Sequence, residues 1–305
     1  MVGSALVRRL DPHHRNLLTR THADLDLTDA AAVLRFFERE RPDYVFMAAA
    51  KVGGIYANDA YPGDFIYHNL AIQLSVIEAA RRVGVKRLLF LGSSCVYPRM
   101  CPQPIREEYL LSGPLEPTNQ AYAVAKISGI EMCASYNRQY GTKYLAAMPT
   151  NLYGPRDTYD AQNSHVLPAL LLKFHEAKTR GNPQVAAWGT GSPRREFMYS
   201  DDMADACVFL MNLPDAKFET LLSRNPPLVN IGTGEDLTIR ELTEMVRSAV
   251  GYAGRIAWDS TKPDGMPRKL LDVSRLHELG WRHKIGLEQG IRLAYSDFLS
   301  MHAAA

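Results

Sequence analysis

The chain has 305 residues, 46% of them hydrophobic, with 35 basic against 33 acidic side chains and a formal net charge of +2. That length allows two intimate domains or one large globule with a substantial core, and the balanced charge excludes a general attraction to nucleic acid while leaving room for a local anion site. No stretch reaches the apolar length that crosses a bilayer, His13, His14 and Arg15 interrupt the only run near the start, and a signal-peptide hydrophobic region is lacking. The expected setting is therefore the cytoplasm, with no membrane partner.

In chain order, VGSALVRRL (2–10) begins a helix, NLLTRT (16–21) is a short strand, AAVLRFFERER (31–41) a helix and DYVFMAAA (43–50) another strand. NLAIQLSVIEAARRVG (69–84) carries a helical apolar stripe that stops at a glycine, and VKRLLFLGSS (85–94) is a buried strand ending in small polar residues. After a proline-rich loop, AYAVAKISGIEMCASYNRQYG (121–141) is a long helix and TKYLAAMPTNLYG (142–154) a strand. Strands alternating with helices of this length predict an α/β fold, a doubly wound, Rossmann-like parallel sheet with helices on both faces. Ligands in such sheets gather outside the carboxyl ends of the strands, so Lys51, Ser93 and Asn151, each following an apolar run, are expected to line a site.

The pattern loosens after Gly154, and residues 155–305 read as a smaller, mainly substrate-facing domain, with a possible return segment to the domain formed by 1–154. HVLPALLLKFHEAKTRG (165–181) is a helix, and VNIGTGEDLTIRELTEMVRSAVG (229–251) reads as strand, turn and helix, with Thr238 and Glu241 spaced as a capping box. Cysteines 95, 101, 133 and 207 have neither CxxC spacing nor disulfide-scaffold density and are expected to be reduced thiols. No metal is expected: the histidines at 13, 14 and 22 gather no carboxylate cage, and DLDLTD (24–29) lacks the glycine and terminal glutamate of a calcium loop.

Tyr122 and Lys126 form YAVAK within the long helix, a spacing of four that puts both on one face. A lysine beside a ribose can lower the pKa of a neighbouring tyrosine electrostatically, and the tyrosine can then protonate a carbonyl oxygen as hydride reaches its carbon. Ser93 can orient the same oxygen. Alone, the spacing also fits a surface lysine beside a packed tyrosine.

In context, AAAKVGGI, DFIYHN, FLGSSCVYP, LEPTNQAYAVAK, SYNRQYG, MPTNLYGP, NSHVLPALLLKFHEA and REFMYSDDMA occur in order along essentially the whole chain. With these motifs the sequence resembles the extended short-chain dehydrogenase/reductases, and within them the GDP-L-fucose synthase family of epimerase-reductases. What the resemblance implies is NADPH-dependent inversion at C3 and C5 of GDP-4-keto-6-deoxy-D-mannose followed by reduction of its C4 ketone. It further implies Ser93, Tyr122 and Lys126 as the reducing centre, Cys95 as a base and His165 as an acid for the inversions, and a homodimer. A thiolate and an imidazole suit such proton transfers because the C4 ketone acidifies both neighbouring carbons.

Arg20 follows the second strand, where a guanidinium favours the 2′-phosphate of NADP over the hydroxyl of NAD. By resemblance Asp26 and Leu27 lie beside adenine, Gly3, Lys51, Asn151 and His165 border the cofactor with Tyr122 and Lys126, and Lys173, Trp188, Arg195 and Lys269 contact the sugar nucleotide. The family's opening strand and GxxGxxG turn are represented here only by Gly3 in MVGSALVRRL. Because such a strand occupies mid-sheet, further N-terminal residues are expected in the active protein. Two other functions stay open at this point: a different nucleotide-sugar reductase, epimerase or dehydratase, and a catalytically weak dinucleotide-binding regulator.

Overall fold

The computed structural model describes residues 1–12, 16–160, 164–262 and 264–303; His13 and His14 lie outside them. The first half runs α1 (Val2–Leu10), α2 (Ala30–Glu40), β1 (Tyr44–Met47), α3 (Ile55–Ala60), α4 (Pro62–Val83), β2 (Arg87–Leu91), α5 (Gln120–Tyr140), β3 (Tyr144–Pro149) and β4 (Asn151–Tyr153). It continues with α6 (Val166–Arg180), β5 (Gln184–Trp188), β6 (Arg194–Tyr199), α7 (Ser200–Met211), α8 (Asp215–Leu222), β7 (Leu228–Ile231), β8 (Asp236–Thr238) and α9 (Ile239–Val250). The last elements are β9 (Arg255–Asp259), β10 (Arg268–Lys269), α10 (Ser274–Glu278) and α11 (Leu287–Ala303).

The main sheet has the order β1-β2-β3-β7, every pair parallel. Its strands are mostly apolar, and β2, β3 and β7 are covered on both faces, whereas β1 at the edge leaves Tyr44 exposed. Along β2, Leu89 and Leu91 point into a core shared with α1 and α7, while Leu88 and Phe90 point into a second core shared with α2, α4 and α5. The helices end where the sequence makes continuation unfavourable: Gly84 and Gly141 adopt left-handed φ of 76° and 67° after α4 and α5.

Two expectations are corrected. NLLTRT is not a strand: residues 16–21 pair with no ladder among the described residues, and an isolated extended segment gains no strand hydrogen bonds. TKYLAAMPTNLYG is two strands in two sheets. β3 ends on its pairing with β7, whereas β4 joins β6 in a separate β10-β6-β4 sheet to which β8 adds antiparallel. Thr150 is the crossing point, its N–H donating to Ile231 O (3.0 Å) and its hydroxyl to Glu196 O (3.1 Å). A third core under α6, α9 and α11 completes a smaller C-terminal layer, with β5 and β9 paired nearby. The expected capping box starts α9: Thr238 N donates to Glu241 Oε2 (2.7 Å) and Glu241 N to Thr238 Oγ1 (3.1 Å). All four cysteines are unpaired.

The packing of α4 on α5 sets the depth of the YAVAK turn. Gln73 Nε2 donates to Ala125 O (2.6 Å), and Gly129 permits the approach, since a Cβ there would stand 2.4 Å from Phe90 Cζ and 2.8 Å from Gln73 Oε1. Overpacking costs about 1–3 kcal/mol, generally more than the about 1 kcal/mol that alanine returns in a helix. Gly129→Ala is therefore expected to lower the urea midpoint of unfolding, and also to displace Lys126, because the Phe90 ring centre lies 4.9 Å from its Nζ.

Candidate active site

A cavity of about 2170 Å3 runs along the free edge of β1, past the carboxyl ends of the main sheet and out over the smaller layer. Single drug-sized sites occupy about 300–1,000 Å3, and part of the larger space here is the open edge from Asp43 to Met47. One end is bordered by Gly3, Arg20, Asp26 and Leu27, the middle by Lys51, Ser93, Cys95, Tyr122, Lys126, Asn151 and His165, and the far end by Lys173, Trp188, Arg195 and Lys269. The structure thus brings to one surface every residue that the sequence put forward.

Ser93 follows β2 directly and caps a short 3-10 turn, its hydroxyl accepting from Cys95 N at 3.5 Å. It also lies near the Tyr122 phenol, whose pKa it draws down against burial. Phe65 braces Tyr122 edge-on, ring centres 6.2 Å apart. Lys126, one turn on, is buried and donates to Leu91 O at 2.8 Å, with Nζ 5.8 Å from the Tyr122 ring centre. Burial pulls its ammonium down to about 8, and burial raises the Tyr122 phenol above its ordinary value.

Cys95 is buried in the cavity wall. Burial raises its thiol pKa, opposed by the Ser93 hydrogen bond and by the charges of Lys269 and Lys126. His165 stands at the first residue before α6 with its side chain open to the cavity and makes no capping hydrogen bond. Enclosure by the cleft and then Lys269 push its imidazole pKa down. At neutral pH the two groups therefore rest as a thiol and a neutral imidazole, one proton between them.

Toward the far end, Lys173 Nζ and Lys262 Nζ lie 4.5 Å and 5.4 Å from the Trp188 ring centre, and Trp188 keeps 44% of its surface exposed. Arg195 and Lys269 are register partners of β6 and β10, two cations side by side on one wall. Burial and Arg195 lower Lys269 to about 8. Such a pair of desolvated cations suits a diphosphate. At the opposite end Arg20 donates to Thr19 O (2.7 Å) and pairs with Glu40 (3.1 Å).

Sequence reasoning did not single out Asn69, Glu196 or Asp264. Asn69, buried on α4, accepts from Lys51 N (3.1 Å) and donates to Lys51 O (3.0 Å), fixing the loop after β1. Asp264 accepts from Thr190 N and Oγ1, each at 2.8 Å, beside Arg195. The only available signals were a polar residue on an apolar helical stripe and an acid before a turn glycine. Among the described residues no group of three or more His, Cys, Asp and Glu is placed to hold a metal, and no helix is long and apolar enough to cross a membrane.

A parallel sheet whose strand ends present Ser93 to a helix-borne Tyr-Lys pair defines an extended short-chain dehydrogenase/reductase, and residues 1–232 match the sequence model of the NAD dependent epimerase/dehydratase family. The chain belongs, more narrowly, to the GDP-L-fucose synthase family. It is 54% identical over 300 residues to GDP-L-fucose synthase 1 of Arabidopsis thaliana, covering 98% of this chain and 90% of that one. To the GDP-L-fucose synthase of Escherichia coli K12 it is 53% identical over 303 residues, covering 98% and 94%. Among solved structures, a GDP-mannoheptose C4 reductase from Campylobacter jejuni with NADP bound superposes with a TM-score of 0.89 at 42% identity, covering 98% of this chain and 95% of that one.

Proposed function

We propose that the protein converts GDP-4-keto-6-deoxy-D-mannose to GDP-L-fucose, inverting C3 and C5 and then reducing C4. The observation that carries this reading is that Ser93, Tyr122 and Lys126, suited to reduction, line one cavity with Cys95 and His165, suited to proton transfer. A reductase alone needs only the first set.

The end of the cavity near Arg20 fits NADPH, which supplies hydride to C4 when bound. The Arg20–Glu40 pair is solvent-screened and such pairs are weak, so a 2′-phosphate can displace the carboxylate. Asp26, held by Thr28 N (2.9 Å) and Thr28 Oγ1 (2.8 Å), and Leu27 border the same end for adenine. Arg195 and Lys269 then hold the diphosphate of the sugar nucleotide, with Lys173 and Trp188 beside them.

The C4 ketone acidifies the protons on C3 and C5. Cys95, as thiolate, removes one of these, the electron pair passes to the C4 oxygen as an enolate, and His165 returns a proton to the opposite face. Ser93, Tyr122 and the Lys126 cation stabilise the charge on that oxygen. The first inversion leaves Cys95 as a thiol and His165 neutral; proton exchange with solvent, off sulfur and onto the imidazole, restores the pair, and repetition at the second carbon completes the inversions. In the reduction, Tyr122 gives its proton to the C4 oxygen, and Lys126 stabilises the resulting phenolate. A homodimer is proposed with it, by likeness to the family.

Incubation with the keto sugar and NADPH is the test. One NADPH consumed per product inverted at C3 and C5 is the expected result; reduction with both centres unchanged would reject the dual activity.

A further inference from the structure

Glu196 lies within β6, wholly enclosed, and its neighbours Phe197 and Met198 belong to apolar cores. Nothing in that strand pattern calls for a carboxylate. Its Oε1 accepts from Thr233 N (2.6 Å) and Gly234 N (2.8 Å), and its Oε2 from Leu271 N (3.0 Å). Gly232 leaves the room required, since a Cβ there would stand 2.2 Å from Oε1. The main-chain carbonyl of the same residue accepts from Asn151 Nδ2 (2.7 Å). One residue therefore ties the turn after β7 in the main sheet to the segment after β10 and to β4 in the other.

Three main-chain N–H groups converge on this carboxylate, and among the described residues no lysine or arginine is within ion-pair distance. Burial raises its pKa, but converging donors favour the anion, because a protonated carboxyl would need an acceptor for its own hydrogen. The nearest use for a buried negative charge is Lys269. β10 is only two residues long, and Leu271, two positions beyond Lys269, is held by the Glu196 bond.

We infer that Glu196 is a positioning residue for the inversions: it fixes the strand that carries Lys269 and, as an anion behind that strand, keeps Lys269 cationic beside Cys95. The inference rests on the reading of Cys95 and His165 as the inverting pair. Lys269 is faced by Arg195 and Glu196 from β6, by Cys95 from the turn after β2 and by His165 from the start of α6. Arg195 opposes its charge; Cys95 and Glu196 support it. Lys269 in turn lowers the Cys95 thiol pKa. Removing the Glu196 charge thus lowers Lys269, and a neutral Lys269 lets the thiol rise.

The experiment compares the full chain with Glu196→Gln, which keeps the side-chain size and removes the charge. Two quantities are read: the rate of Cys95 alkylation by iodoacetamide, resolved by peptide mass spectrometry, and deuterium wash-in at C3 and C5 of the keto sugar in D2O. The expected result, read at about pH 7.5 where Lys269 at about 8 is still mostly cationic, is Cys95 alkylation and wash-in each slowed several-fold, the scale of a Lys269 value pulled down by about one pH unit. Glu196→Asp, which keeps the charge, is expected to recover part of both. A folded Glu196→Gln protein with unchanged alkylation and wash-in rates at that pH would overturn the inference. Should that variant fail to fold, Lys269→Met carries the test with the carboxylate clasp intact, and an unchanged Cys95 alkylation rate there overturns it equally. If the unsubstituted protein shows no wash-in at all, the inversion reading fails instead, while the alkylation comparison still decides the electrostatic coupling.

Discussion

Replacing Tyr122 by phenylalanine is expected to slow C4 reduction by about 10²–10⁴-fold, the range that a positioned general acid contributes. The edge-on contact with Phe65 depends on the ring, which phenylalanine keeps, so the loss isolates the hydroxyl. Deuterium wash-in at C3 and C5 is expected to persist in this variant, because enolate formation still has Ser93 and Lys126 to stabilise the oxygen. Equal loss of reduction and wash-in would show that Tyr122 serves the proton transfers as much as the reduction. A pH profile adds a second check. Burial brings the Lys126 pKa down to about 8, so its cation is present below that pH and lost above it. Reduction by the unsubstituted protein is accordingly expected to fall as pH rises through about 8, measured as NADPH consumption with enzyme saturated.

The main sheet was legible because burial on both faces imposes a simple rule on sequence: VKRLLFLGSS and DYVFMAAA are apolar without alternation, and each ends in small or polar residues where the cavity begins. The YAVAK helix was legible because a period of four is local. Failures came where structure depends on distant partners. NLLTRT has strand composition, yet a strand exists only through its ladder, and composition cannot supply one. TKYLAAMPTNLYG carries Pro149 beside the change of sheet, but a proline there does not say which strand follows; Thr150 turns the chain through bonds to Ile231 and Glu196, residues 81 and 46 positions away. Asn69, Glu196 and Asp264 escaped for the same reason. Each acts through main-chain groups remote in sequence, and a main-chain N–H leaves no mark in the sequence that it belongs to. Cys95 and His165 look like packing and capping residues when read singly, and only the motifs around them suggested chemistry.

Cys95→Ser is expected to abolish inversion while leaving the fold and C4 reduction in place. Serine matches the thiol closely in shape, so the wall around it should hold, but a serine hydroxyl ionises far less readily than a thiol and cannot act as the carbon base near neutral pH. The rest state makes the test informative. Cys95 is a thiol and His165 a neutral imidazole, so the single proton between them can begin on either side of the substrate, and Lys269 and Lys126 are the charges that favour releasing it from sulfur. If sulfur is the base, Cys95→Ser loses deuterium wash-in at C3 and C5 by about 10²–10⁴-fold, and the keto sugar is reduced with its original configuration at both carbons. If the imidazole were the base and the thiol the acid, wash-in would continue in Cys95→Ser, since His165 could still take and return a proton on its own face, and only the change of face would stop. His165→Gln gives the mirror image: wash-in retained with inversion lost when sulfur is the base, wash-in lost when it is not. Measuring wash-in and product configuration for both variants therefore assigns the direction of proton flow, which neither resting pKa fixes alone.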